Sequence, residues 1–242
     1  GMTYCGKGDY DKGIEELTKA IELSPDKPGF YYWRGEAYLV KEDYDKAIED
    51  FTKAIELNPV YLPYDPGFYY WRRGVAYLVK EDYDKAIEDF TKAIELNPDD
   101  PLRSFYFFQR GEAYFGKGDY DKAIEDFSKA IKLKPDEPQF YFQRGEAYFG
   151  KKDYDKGIED FTKAIKLNPD DPWLYSRRGE AYLKKGLYEK AIKDFSKAIE
   201  LYPRDPEFYR SRGIAYELMG LYDKAREDFK KAMELEQEKK KK

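Results

Sequence analysis

Apolar residues recur along this chain at helical spacing, in stretches of roughly fourteen residues divided by short polar breaks. The segment from Pro138 to Pro169 shows the pattern. Phe140, Tyr141, Ala147 and Tyr148 share one helical face, Lys151-Lys152-Asp153 interrupts it, and Tyr154, Ile158, Phe161, Ala164, Ile165 and Leu167 build a second face. An acidic residue before proline, as in Glu137-Pro138, Asp171-Pro172 and Asp205-Pro206, predicts a helix start: the side chain caps, and the ring lacks only a donor that the first turn does not use. Asp153 is placed to cap the second helix. Asn168-Pro169 ends it, because the residue before proline avoids the α region. Each unit therefore reads as two antiparallel helices, A then B. Gly145, Ala147 and Ala164 are small where the helices approach, and Tyr148 and Phe161 fill the space between.

The unit repeats down the whole chain. Its anchor glycines are Gly35, Gly74, Gly111, Gly145, Gly179 and Gly213; the last four lie 34 residues apart, and the earlier gaps are 39 and 37. A repeat of this length means a solenoid, whose function lies on a surface rather than in a catalytic pocket. The units are read as 1–27, a partial one holding the end of a helix A and a full helix B; 28–65, with a longer exit loop; 66–100; 101–137, with a helix A extended by nearly one turn; 138–171; 172–205; and 206–242, closing in a Lys-rich tail. The extra residues around Val60 to Asp65 read first as a spacer.

Composition narrows the function. Charged residues make up 38% of the 242, but the net charge is only −5 and the signs alternate as on solvated faces, so no nucleic-acid partner is expected. The absence of histidine removes the commonest general base and metal ligand. Cys5 is alone, so no intrachain disulfide forms. Gly116-Lys117-Gly118 lacks the spacing of a phosphate loop. The expectations are no enzyme, no cofactor, no metal site and no membrane partner. No signal peptide is visible, and a cytoplasmic location is expected.

The repeated block resembles the tetratricopeptide repeat family, whose pattern is W-x2-L-G-x2-Y, then A-x3-F, then P. With the glycine as repeat position 8, Tyr148, Phe161, Ala164 and Pro169 take positions 11, 24, 27 and 32. Two departures recur. Position 4 is Tyr or Phe rather than Trp: Tyr31, Tyr70, Phe107, Tyr141, Tyr175 and Tyr209. Position 7 is Arg rather than Leu: Arg34, Arg73, Arg110, Arg144, Arg178 and Arg212. Sixteen residues after each stands an aspartate: Asp50, Asp89, Asp126, Asp160, Asp194 and Asp228. This spacing predicts an Arg–Asp bridge from helix A to helix B in every unit, against the alternative that both groups are solvated.

The resemblance implies an all-α, right-handed superhelical solenoid of antiparallel helix pairs. It also implies that helix A lines a concave groove through positions 2, 5, 9 and 12. Those positions give Tyr32, Glu36 and Leu39; Phe68, Trp71, Val75 and Leu78; Phe105, Phe108, Glu112 and Phe115; Phe142, Glu146 and Phe149; and Trp173 and Glu180. They form a candidate peptide-binding surface of apolar anchors with acidic points beside them. The alternative is that the aromatics pack on the neighbouring unit's helix A and leave little exposed. The family's carboxylate clamp of Lys, Asn and Arg is read as absent, with Arg72 and Arg177 lacking companions. The expected function is a non-catalytic scaffold for a protein or peptide partner. The competing reading is a homo-oligomer formed end to end, with Phe229, Met233 and Leu235 partly exposed on the last helix.

Overall fold

The computed structural model describes residues 9–57 and 66–240. The expectations about Gly1 to Tyr4, Cys5 and the insertion around Val60 to Asp65 fall outside them. The described residues form thirteen helices and no strand. They fall into two compact units, Gly1–Leu133 and Lys134–Lys242. The first holds α1 (Tyr10–Leu23), α2 (Pro28–Val40), α3 (Tyr44–Leu57), α4 (Pro66–Val79), α5 (Tyr83–Leu96), α6 (Arg103–Gly116) and α7 (Tyr120–Leu133). The second holds α8 (Pro138–Gly150), α9 (Tyr154–Leu167), α10 (Pro172–Lys184), α11 (Tyr188–Leu201), α12 (Pro206–Leu218) and α13 (Tyr222–Lys240). Within each unit every helix packs on the next in sequence. Even-numbered helices are the A members of the pairs, odd-numbered ones the B members.

The core of each pair is a small-to-large fit. Phe51, Phe90, Phe127, Phe161 and Phe195 on the B helices are fully buried. Each faces the repeat glycine of its A helix, where an added Cβ would stand 2.7–2.9 Å from the ring. The B helices start as read: Asp9, Asp82 and Asp153 accept from the backbone N–H groups of Lys12, Lys85 and Lys156. Among the A helices, Asp171 and Asp205 cap through the N–H groups of Trp173 and Glu207, both at 2.9 Å. Glu137 does not cap, in contrast to the reading of Glu137-Pro138. Its extra methylene carries the carboxylate past the short reach that aspartate uses.

Three of the tyrosines at position 4 donate through their hydroxyls: Tyr31, Tyr141 and Tyr175 to the carbonyls of Pro25, Pro135 and Pro169 at 3.1–3.2 Å, tying helix A to the loop before it. After the insertion at 97–102 the tether changes. Tyr106 donates to Asp100 at 2.7 Å, and Asp100 also accepts from Leu102 N–H at 2.7 Å and from the Asn97 amide at 3.3 Å. Burial pushes the Asp100 carboxyl up, but these donors carry it below the usual value. This local network corrects the expected extension of helix A. α6 has 14 residues, one more than α8, because Asp100 holds the extra residues in the loop.

The A-to-B turns each require one residue in the left-handed region. Glycine fills it at Gly118, Gly186 and Gly220, but Glu42, Glu81 and Lys152 adopt φ of 61°, 59° and 64°. A side chain there crowds the following carbonyl. Glu81→Gly is expected to stabilise by about 0.5–1 kcal/mol, the steric relief exceeding the extra chain entropy of glycine. The check is a denaturant midpoint for Glu81→Gly beside Glu81→Ala, which keeps the Cβ and should gain nothing.

Candidate functional site: the helix-A face

All six Arg–Asp pairs form, each as a two-pronged contact. In unit 1, Nε and Nη2 of Arg34, Arg73 and Arg110 meet the carboxylates of Asp50, Asp89 and Asp126 at 2.6–2.9 Å. In unit 2, Arg144, Arg178 and Arg212 do the same with Asp160, Asp194 and Asp228 at 2.7–2.8 Å. The remaining nitrogen was not foreseen. Nη1 of Arg34, Arg73, Arg110 and Arg178 donates to Thr18, Thr52, Thr91 and Thr162, and Nη1 of Arg212 to Ser196, at 2.9–3.1 Å. Those hydroxyls lie on the B helix of the preceding pair. One guanidinium therefore fixes its own helix, its partner and the previous pair.

The aspartates are almost fully buried. Burial pushes the Asp50, Asp89 and Asp160 carboxyls up, and the arginine hydrogen bonds only partly offset it. A pair with this balance sets register more than it adds stability. These residues build the frame that presents the helix-A face.

On unit 1 that face is mostly closed. Tyr32 is 4% exposed and Phe108 is 6% exposed, so both belong to the core rather than to an accessible surface. The reason is packing on the B helix of the same pair and, for Tyr32, on the next A helix. Tyr32 lies 5.7 Å from Phe68 and 6.0 Å from Phe51, and Phe108 lies 5.6 Å from Phe127. Trp71 stacks between Phe68 at 5.0 Å and Tyr106 at 5.5 Å, and its indole N–H donates to Gln109. Leu39, Phe68, Trp71, Val75, Leu78, Phe105, Glu112 and Phe115 are half-buried. Glu36 is not a free acidic point: Arg72 binds it in a bidentate pair at 2.5 and 2.7 Å and stacks on Trp71.

Unit 2 repeats the device and then opens. Arg177 pairs with Glu146, donates to Glu180 at 2.7 Å, and lies over Phe149 at 5.6 Å. Both groove arginines are thus engaged by glutamates. Each joins position 6 of one unit to position 9 of the unit before, a relation recoverable from the repeat frame. Burial pushes Glu180 up while Arg177 pulls it down. Phe142, 5.8 Å from Phe161, and Phe149 are half-buried. Trp173 is different: 48% exposed, it rests edge-on against Phe208 at 4.9 Å. Beside it lies an open cavity of about 480 Å³, lined by Pro138, Phe142, Trp173 and Leu174 with Gln139, Asn168 and Asp171 at its polar margin. Leu174, Asn168 and Asp171 were not among the groove positions, since they follow from the approach of α8 to α10 rather than from helical register.

Among the described residues no cluster suited to a metal ion occurs, and no helix is long and apolar enough to cross a membrane.

Stacked antiparallel helix pairs with a repeating frame and a variable A face define a helical-repeat protein, the architecture of protein–protein interaction scaffolds. Family models match nearly the whole sequence: TPR repeat over residues 1–41, 111–152, 145–186 and 179–220, and tetratricopeptide repeat over 29–61, 70–100 and 206–239. The chain belongs to the tetratricopeptide repeat family. Among solved structures it is similar to MamA, 31% identical with a TM-score of 0.65, covering 70% of this chain and 97% of that one. It is also similar to MamA from Desulfovibrio magneticus, 24% identical with a TM-score of 0.67, covering 71% of this chain and 96% of that one. YrrB, described as a TPR protein with an unusual peptide-binding site, is 23% identical with a TM-score of 0.63, covering 78% of this chain and 94% of that one. No curated protein matches the sequence.

Proposed function

We propose that this scaffold holds a peptide or partner segment on the helix-A face of unit 2, with one apolar side chain seated beside Trp173. The observation that carries the reading is the half-exposed indole at the edge of an open, largely apolar cavity between α8 and α10. Elsewhere on the A face the aromatics it offers are buried or half-buried. An indole held against Phe208 is preordered, so a ligand covering it loses little rotamer freedom in the protein. The acidic points expected beside the anchors are engaged by Arg177, so the partner segment is selected by apolar shape rather than by basic charge.

Burying one such anchor is worth about 1.5–3 kcal/mol. Trp173→Ala is therefore expected to weaken peptides selected on the intact chain by at least about ten-fold. Leu187→Ala, at another exposed apolar residue away from the cavity, should leave them unchanged. Fluorescence anisotropy with displayed and selected peptides measures both. Selected peptides indifferent to both Trp173→Ala and Phe142→Ala would remove the cavity as the binding site.

A further inference from the structure

Among the described residues, the last helix pair leaves open a face that the internal pairs of its unit cover. At the junction of α11 with α12, Ala191 and Phe195 form a core with Ala215 of the following A helix, and Ile192 packs against it. In unit 1, Ala86, Phe90 and Ile87 meet Ala113 in the same way. On α13 the corresponding residues are Ala225, Phe229 and Arg226, and no described helix follows. Tyr222 is 64% exposed and Met233 55% exposed, where Tyr188 and Ile199 are half-buried. Leu235, expected among the exposed residues, is instead buried, because the longer α13 folds its last turns against α12 and Glu236 pairs with Arg210. The result is an open cavity of about 500 Å³ whose floor is Tyr222, Ala225, Phe229 and Met233.

The rim of that cavity departs from the repeat at two positions. Position 21 is Ile in the six other repeats and becomes Arg226. Position 25 is Thr or Ser in the six others and becomes Lys230. The second change bears on what fits. At the internal junctions the hydroxyl at that position receives the arginine of the following A helix, as Ser196 receives Arg212. A helix of the internal kind, including one from a second copy of this chain, would bring its arginine onto Lys230. Like charges in that place disfavour it. Neither cation is satisfied locally: Arg226 makes only a loose 3.8 Å contact with Asp223, and no ion pair holds Lys230 among the described residues. Glu217 is the single anion lining the cavity.

We propose that this end face of α13 docks an acidic amphipathic helix of a partner protein. That helix carries a small residue over Ala225 and Phe229, and a glutamate or aspartate where the internal A helices carry arginine. The apolar floor supplies contact area, and Arg226 and Lys230 select the sign of the charge. The same two cations stop the chain from extending itself by its own repeat.

The test uses the full chain and two stapled thirteen-residue peptides with the sequence of α12 (Pro206–Leu218), one unchanged and one carrying Arg212→Glu. The glutamate peptide is expected to bind at least about ten-fold tighter at low ionic strength, where the charges are least screened. The double substitution Arg226→Ile with Lys230→Thr should reverse that preference. Met233→Asp should abolish binding of the glutamate peptide, and circular dichroism should show all variants folded. Failure of the glutamate peptide to bind, equal binding of the two peptides, or binding that survives Met233→Asp each overturns the proposal. So does light scattering that shows self-association removed by Met233→Asp, which would make a second copy the occupant.

Discussion

Arg73→Ala is expected to cost about 3–5 kcal/mol, because it leaves Asp89 buried without its partner. Asp89 is 3% exposed, and Arg73 supplies both of its 2.8 Å contacts. The same guanidinium holds Thr52 at 3.0 Å and lies between the rings of Tyr70 and Tyr77 at 5.5 and 5.9 Å. Arg73→Lys should recover only part of the loss, since an ammonium cannot make the two-pronged contact and reach Thr52 at once. Arg73→Met with Asp89→Leu should come close to the parent, because it removes both desolvated charges together. The pH dependence has a definite sign. Burial already pushes Asp89 up, and without Arg73 it rises further. A carboxyl whose folded pKa exceeds its unfolded value binds more protons in the native state, so folding is favoured as pH falls. The deficit of Arg73→Ala is therefore largest near neutrality and shrinks on acidification toward the raised value. Chemical denaturation of the four proteins at two pH values checks both parts. A deficit that does not change with pH would show that the lost packing of the guanidinium, not the stranded carboxylate, sets the cost.

That pair was legible in the sequence because both members recur in every complete unit at one separation. Arg in place of the family's Leu is costly on a helix face unless something answers it, and the aspartate sixteen residues on is the answer. The third contact was hidden. Thr18, Thr52, Thr91, Thr162 and Ser196 recur as faithfully, but a hydroxyl on a B helix looks the same in sequence whether it faces water or a neighbouring arginine. The helices themselves were legible from period and proline placement. The start of α6 was not, because the side-chain contacts of Asp100 decide it against the helix pattern. For the A face, repeat position gave direction and not depth. Tyr32 and Trp173 occupy positions of the same class, yet one is 4% and the other 48% exposed. The difference lies in the neighbours: Tyr32 meets Phe68 and Tyr69 at 5.7 and 5.6 Å, while Trp173 has Phe208 on one side and open space on the other. Such exposure depends on pairs of residues in different repeats, and no single repeat contains it.

The glycine–phenylalanine contact inside each pair leads to a prediction in which a substitution changes sign. Phe127→Ala should cost about 3–5 kcal/mol, since the ring is fully buried and its loss opens a cavity between α6 and α7. Gly111→Ala should cost about 1–3 kcal/mol in the parent chain. Its Cβ would lie 2.7 Å from Cε1 and 2.8 Å from Cδ1 of Phe127, and the ring is also held by Phe108 at 5.6 Å. This loss must first exceed a gain, because alanine is favoured over glycine inside a helix by about 0.8–1 kcal/mol. Once Phe127 is alanine the clash is gone and the propensity gain stands alone. Gly111→Ala should then stabilise, and the double variant should be more stable than Phe127→Ala by about 0.5–1 kcal/mol. A double-mutant cycle by urea denaturation measures the coupling directly. If Gly111→Ala costs the same in both backgrounds, the glycine is not there for the ring, and the recurrence of this pair through Gly213 would need another cause. If the sign reverses, the repeat glycine is the complement of the buried phenylalanine, and the close approach of helix A to helix B rests on that fit.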